Sequence, residues 1–423
     1  MRILWFTNSP SLGASKLGYK TIGSSWIESL ESNLGKQQDI EIGIAFLWRG
    51  ENAGKYKINK TTYYPIQGKP SMGKINRFFS RWRHKITTEE NIENYLKVIR
   101  DFSPDIIHIF GTENDYGMLL SRINIPCIVY IQGSLILCNY KWYNGFTKKE
   151  VLRFSEKLKY LKGYGLIHSY FVFKKAAERE RNIFKNSKYL IGRTDWDKRL
   201  SLVLSPDAKY FHCDEVMRPQ FYSNKWVQPN FGNEKIIISV IRNSIYKGLE
   251  TVFEAQKILW EQFPEQKIRW RVAGITANDE IVWLLEKKFK KQLNEIGLQL
   301  LGPLHEDELI IEMLKADIFV HPSHIENSPN SLCEAMLLGM PVIATAVGGV
   351  LSMLNDKQEG ILIQDGDPYS MAGAVLELIA NRNYAKKLGL NARSKAMEKH
   401  DPDKIANQLM TAYFSVLSQN KDA

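Results

Sequence analysis

The sequence is poor in cysteine and has no long apolar run. Its four cysteines, Cys127, Cys138, Cys213 and Cys333, are widely separated and form no C-x-x-C pair, which argues against a zinc ribbon or a disulfide framework. A reducing compartment suits that usage. No stretch approaches the roughly 18 apolar residues of a membrane-spanning helix. The apolar start at residues 3–6 breaks into Asn8-Ser9-Pro10, too short for a signal-peptide core, and reads as a buried strand. Zinc-finger, RRM and KH patterns are missing, as is any repeat at a solenoid period. The expected setting is cytoplasmic, at most peripheral on the inner face of a membrane.

What is present is an ordinary globular composition with one sign of charge in excess. Apolar residues at 44% and charged residues at 24% argue against disorder, collagen and coiled coil, and 423 residues suffice for two domains with full cores. The formal net charge is +11. Residues 69–85 carry +6 with no acid, through Lys69, Lys74, Arg77, Arg81, Arg83 and Lys85, and residues 141–190 carry +9. The remainder is therefore acidic. Both windows are rich in aromatics, among them Phe78, Phe79 and Trp82. Basic residues mixed with large apolar ones suit an anionic membrane surface. A solvated helix face over a normal core accounts for the same pattern, and nucleic acid ranks third.

Apolar strands alternate with helical stretches along the whole chain. Strands are expected at 3–7, 40–48, 105–111 and 127–133, then at 235–241, 268–274, 298–302, 317–320 and 341–345. Helices are expected at 91–102, 306–315 and 331–338, with others between. Two successive βαβ series with a break near 221–234 imply an α/β protein of two Rossmann-like domains. In such sheets ligands bind outside the carboxyl ends of the strands, so the strand-end loops carry the candidate chemistry.

Two of those loops stand out. In residues 321–335, Glu326 and Glu334 lie eight apart across a small polar loop that becomes a helix. The helix start offers unpaired amides and the positive end of its dipole, which suits a phosphate. Pro329 fits a first turn. Glu334 is placed to accept from ribose hydroxyls, and Glu326 to hold a sugar ring. The second loop, 242–248, carries Arg242 and Lys247, which can both face one diphosphate.

The ordered set R-x4-K and E-x7-E, followed by "GMPVIAT" and "GG", resembles the retaining GT-B glycosyltransferases of family 4. "LLGPL" at 300–304, "ADIFVHPS" at 316–323 and "EGILI" at 359–363 agree with it. The resemblance implies two Rossmann-like domains facing a central cleft: an acceptor-binding domain at 1–225, with the final helix 402–418 packing back onto it, and a nucleotide-sugar domain at 230–400. It implies catalysis by Glu326, Arg242 and Lys247. The donor is a UDP- or GDP-linked sugar, used without a metal or other cofactor. Its binding would involve Glu334 at the ribose, Leu304 at the base, the loop Asn327, Ser328, Pro329, Asn330, Ser331 and Leu332, and the glycines Gly23 and Gly274.

Gln132, His108, Glu113 and Asn114 are expected on the acceptor side, with a packed core histidine as the alternative for His108. The acceptor would be a saccharide or a polyprenyl-diphosphate-linked saccharide, with an anionic membrane as a further partner and no nucleic acid. The chain departs from the family at Gly23-Ser24, where a Gly-Gly pair is usual, and at Gln132-Gly133, where His-Gly is usual. Gln132 cannot act as an acid or base. A sugar-nucleotide epimerase and a non-catalytic nucleotide-sugar-binding protein are the alternatives.

Overall fold

A computed structural model describes residues 1–18, 25–37, 39–51, 54–68, 73–87, 89–228 and 234–419. Gly23, expected on the donor side, and Lys69 lie outside these residues. The chain divides into two compact units. The first comprises Met1–Ile136, Phe171–Arg218 and His400–Ala423, and the second Leu137–Tyr170 and Pro219–Lys399.

The first unit is built on strands β1 (Arg2–Thr7), β2 (Glu41–Trp48), β3 (Tyr56–Ile58), β4 (Thr61–Gln67), β5 (Ile106–Phe110), β6 (Cys127–Tyr130), β7 (Tyr189–Gly192) and β8 (Lys209–His212). They form one sheet in the order β3-β4-β2-β1-β5-β6-β7-β8. All neighbours are parallel except the β3–β4 pair. Parallel sheets are covered on both faces, which is why β1 and β5 read as nearly unbroken apolar runs.

The final helix, Pro402–Gln419, belongs to this unit. Its fully buried Tyr413 accepts from the Trp5 indole at 3.1 Å and meets His108 Nδ1 at 2.6 Å. The Asn33 side chain donates to the Pro402 carbonyl. The helix is thus tied to β1, β5 and the Trp26–Leu34 helix by polar bonds inside an apolar layer.

The second unit carries β9 (Lys235–Val240), β10 (Ile268–Ala273), β11 (Leu298–Gly302), β12 (Ile318–His321), β13 (Val342–Thr345) and β14 (Ile361–Ile363). The order is β11-β10-β9-β12-β13-β14, all parallel. The chain starts this sheet at β9, builds outward one way, then returns to place β12 on the other side of β9. Its core holds Phe253, Trp270, Leu284 and Ile343.

Residues 137–170 correct one expectation. They were assigned with the rest of 1–225, but they pack in the second unit. Phe146, Val151 and Leu166 join the apolar cluster of Phe253, Ile281 and Leu285. Glu280 accepts from the Leu166 amide at 3.1 Å, Trp283 donates to the Phe154 carbonyl at 2.9 Å, and Lys288 donates to the Gly145 carbonyl at 2.9 Å. The basic window 141–190 is therefore shared between the units and is not one surface of the first. Among the described residues no helix is long and apolar enough to cross a membrane.

Replacing Tyr413 by Phe removes the partner of two buried ring nitrogens. Leaving such groups unsatisfied costs about 1–3 kcal/mol. Urea denaturation of Tyr413→Phe should show a loss of that size; unchanged stability would mean that these bonds do not hold the helix.

Candidate active site

In the second unit the order of strands reverses between β9 and β12, and in open α/β sheets the ligand crevice lies at such a reversal. The 242–248 loop leaves β9 there, and the loop carrying Glu326 leaves β12 beside it. Two bonds join the loops directly. The His324 amide donates to the Tyr246 carbonyl at 2.9 Å, and the Lys247 ammonium pairs with Glu326 Oε1. That oxygen also accepts from Ser323 Oγ at 3.0 Å and lies 3.5 Å from His321 Nε2.

Close approach of backbones makes this possible. A β-carbon on Gly248, which has φ +77°, would lie 2.0 Å from the Pro322 carbonyl oxygen. One on Gly348, with φ +50°, would lie 2.0 Å from the Glu326 carbonyl oxygen. Only glycine fits these left-handed positions at such range. Gly349 then donates its amide to the same Glu326 carbonyl at 3.0 Å. The "GG" after β13 is a cradle for the backbone of Glu326.

The electrostatics follow from this packing. Burial alone would raise the Glu326 carboxyl, but the Lys247 ammonium and His321 outweigh it and hold the group well below the usual carboxylate range. Glu326 is an anion at any physiological pH. Burial pushes the Tyr246 phenol up, and the charges of Glu326 and Arg242 act on it in opposite senses, so these side chains share one neighbourhood. The Lys247 ammonium sits 5.5 Å from the Tyr246 ring centre. Arg242 is exposed at the loop's edge.

Of the expected donor residues, Pro329 caps the Asn330–Leu338 helix, and Glu334 is buried in its second turn. The Leu332 amide bonds back to the Pro329 carbonyl at 3.0 Å, which leaves the amides of Asn330 and Ser331 as the first-turn donors with no acceptor in the helix ladder. Asn327 and Ser328 are buried between Glu326 and this helix. Gly274 follows β10 and donates to the Gly302 carbonyl at 2.7 Å; Leu304 follows β11, half-buried. The Asn243 amide reaches Asp279 Oδ1 at 2.7 Å, and Asp279 in turn holds the Thr276 amide at 2.7 Å, so the loops after β9 and β10 are linked.

On the acceptor side, one residue is corrected. His108 is fully buried, stacks on Phe110 at 4.0 Å between ring centres and is pushed down to about 3 by burial. It is a neutral core histidine. Glu113 and Asn114 follow β5, where the order of the first sheet reverses around β1. There Asn8 donates to Glu113 Oε2 at 3.2 Å and accepts from Asn114 at 2.6 Å. Gln132 follows β6, half-buried, and its carbonyl accepts from Arg193 at 3.5 Å.

A buried cluster beneath Glu326 was not anticipated. His324 is 2% exposed; its Nε2 meets Glu250 Oε1 at 2.6 Å and its Nδ1 meets Asp365 Oδ2 at 3.3 Å. Asp365 also holds Lys141 at 3.5 Å and the Asn144 amide at 3.4 Å, both from the 137–170 segment. No local sequence signal links residues that lie 74 and 41 positions apart; a histidine one position past the Pro-Ser turn was the only hint.

Residues 221–395 match the family described as glycosyl transferases, group 1. That stretch is less than half of the chain, and over it the sequence is similar to that family. An uncharacterized glycosyltransferase of Methanocaldococcus jannaschii is 26% identical over 323 residues, which is 72% of this chain and 87% of that protein. Two further relatives are matched over only 35% and 43% of their own length. Sucrose-phosphate synthase of Thermosynechococcus elongatus superposes with TM-score 0.73 at 16% identity, covering 99% of each chain. Anabaena HepE, solved in complex with UDP and glucose, superposes with TM-score 0.64 at 15% identity, covering 98% of this chain and 100% of that one. At such identity these likenesses establish the fold alone, and that fold is GT-B.

The His324 cluster has a defined pH response. Burial would lower the imidazole, but Glu250 and then Asp365 reverse this and raise it above its ordinary 6.5. A raised histidine contributes its stability in full below the ordinary value and loses it as pH rises through its own higher value. NMR titration of His324 should show a midpoint above 6.5. Asp365→Asn should lower that midpoint, and Glu250→Gln should lower it further because its contact is shorter. A midpoint at the ordinary value in the unaltered protein would remove the charged cluster.

Proposed function

We propose that this protein is a retaining glycosyltransferase that moves a hexose or related sugar from a UDP- or GDP-linked donor to a saccharide or a polyprenyl-diphosphate-linked saccharide, in building a surface glycan. The observation that carries this reading is the Lys247–Glu326 pair at the reversal of the second sheet, with Arg242 and the start of the Asn330–Leu338 helix beside it. HepE was solved in complex with UDP and glucose. That supports a nucleotide sugar as the ligand here.

In the reaction, the bond between the anomeric carbon and the diphosphate oxygen breaks. The acceptor hydroxyl oxygen bonds to that carbon on the same face, and its proton passes to the leaving phosphate. No side chain of the site is placed as a nucleophile in this scheme. Arg242 offers a forked contact to the diphosphate and Lys247 a point charge, which together with the helix amides stabilise the negative charge growing on the leaving group. These cations supply the charge compensation in the metal-independent reaction we propose. Glu326, held ionised, accepts hydrogen bonds from the hydroxyls of the transferred sugar, and Glu334 from the ribose. Glu113, Asn114 and Gln132 are assigned to the acceptor.

A thermal-shift screen identifies the donor. A ligand at about 100 times its Kd adds about 2.7 kcal/mol, a rise of several degrees in Tm. With that donor and an acceptor, Glu326→Ala and Lys247→Ala should each lower kcat by at least about a thousandfold, with the circular dichroism spectrum unchanged and a Tm several degrees lower, since each leaves its enclosed partner uncompensated. Release of nucleoside diphosphate in the presence of EDTA is the readout. Wild-type turnover in either variant, or product formed from the donor with no acceptor present, overturns this assignment.

A further inference from the structure

The Lys74–Trp82 helix of the first unit lies outside the site and has no part in the chemistry above. Its apolar residues Ile75, Phe78, Phe79 and Trp82 are spaced i, i+3, i+4, i+7, which places them on one stripe of the helix. Such a stripe normally faces a core. Here all four residues are exposed, from 36% for Trp82 to 73% for Ile75. Phe78 packs edge-on to Phe79 at 5.8 Å and lies 6.2 Å from Trp82, so the rings form one patch. Arg77 and Arg81 lie off that stripe, on the polar face of the helix.

The patch continues onto the Leu166–Asn186 helix. Beyond the Lys74–Trp82 helix, His84 stacks on Phe171 at 4.9 Å, and Lys175 donates to the Arg83 carbonyl at 2.6 Å. Phe171 and Val172 are exposed too. Residues 73–85 contain no acid, and Arg77, Arg83 and Lys85 are exposed. A second copy of the same surface would meet it with like charge. An anionic bilayer meets it with opposite charge, and its interface accepts the aromatic stripe.

We propose that the Lys74–Trp82 helix docks the protein on anionic lipid, with Ile75, Phe78, Phe79 and Trp82 entering the interface and the exposed Arg77 and Arg83 reaching headgroup phosphates around it. This does not rest on the transferase reading, and its test uses no sugar. The full chain is co-sedimented with vesicles of phosphatidylcholine alone or with 30% phosphatidylglycerol, about three parts in ten chosen to mimic an anionic leaflet. Binding should require phosphatidylglycerol and weaken in high salt. Phe79→Ser with Trp82→Ser should reduce it to background, and Arg77→Ala with Arg83→Ala should weaken it about twenty-fivefold, roughly fivefold per cation. All of these positions are exposed, so the Tm of each variant should match the parent. Equal binding to both vesicles, no binding, unchanged binding by the serine variant, or tighter retention of single-stranded oligonucleotide than of vesicles would each overturn the proposal.

Discussion

The pairing of Lys247 with Glu326 is the interaction on which the second unit's crevice depends. Each group alone would be costly in so enclosed a place; together they are tolerated because the geometry is close and further donors satisfy the carboxylate. Removing either partner leaves an uncompensated charge. The surrounding backbone is arranged around that requirement. Gly248 lets one loop lie against Pro322, and Gly348 lets the strand-end after β13 lie against Glu326 itself. Charge and backbone packing are thus two views of one constraint.

A second layer of charge lies beneath it. His324, two residues before Glu326, is clamped by Glu250 from the helix after β9 and by Asp365 from the loop after β14. Asp365 extends the clamp to Lys141 and Asn144. Through it the 137–170 segment, which interrupts the first unit in sequence, becomes part of the wall behind the second unit's loops. The same logic of a sheet reversal recurs in the first unit, where Asn8 after β1 joins Glu113 and Asn114 after β5.

Much of this was legible beforehand because the strands are buried on both faces. Runs such as 235–240 and 318–321 carry a nearly unbroken apolar signal, and the helix expected at 306–315 is observed as Glu306–Lys315. The β3–β4 hairpin was not read. Its first strand has three residues and its second contains a proline, so neither gives a clean alternation. The membership of residues 137–170 was misread because the short helices there have too few turns to show which face is apolar. His108 fits a core role or a site role equally well by sequence, and only its place in the middle of β5 against Tyr413 decides for the core.

By itself the sequence determined the two βαβ series, the loops that end their strands, and the residue types that bring cations and carboxylates to those loops. These follow from local period, composition and spacing, which do not need the chain's distant parts. Only the tertiary structure decided that Lys247 meets Glu326, that the glycine pair after β13 cradles the Glu326 backbone, that His324 is held between two carboxylates, and that an aromatic stripe on the Lys74–Trp82 helix is left facing outward. Each of these joins or separates groups far apart in the chain, and the parallel strand order sets which distant loops become neighbours.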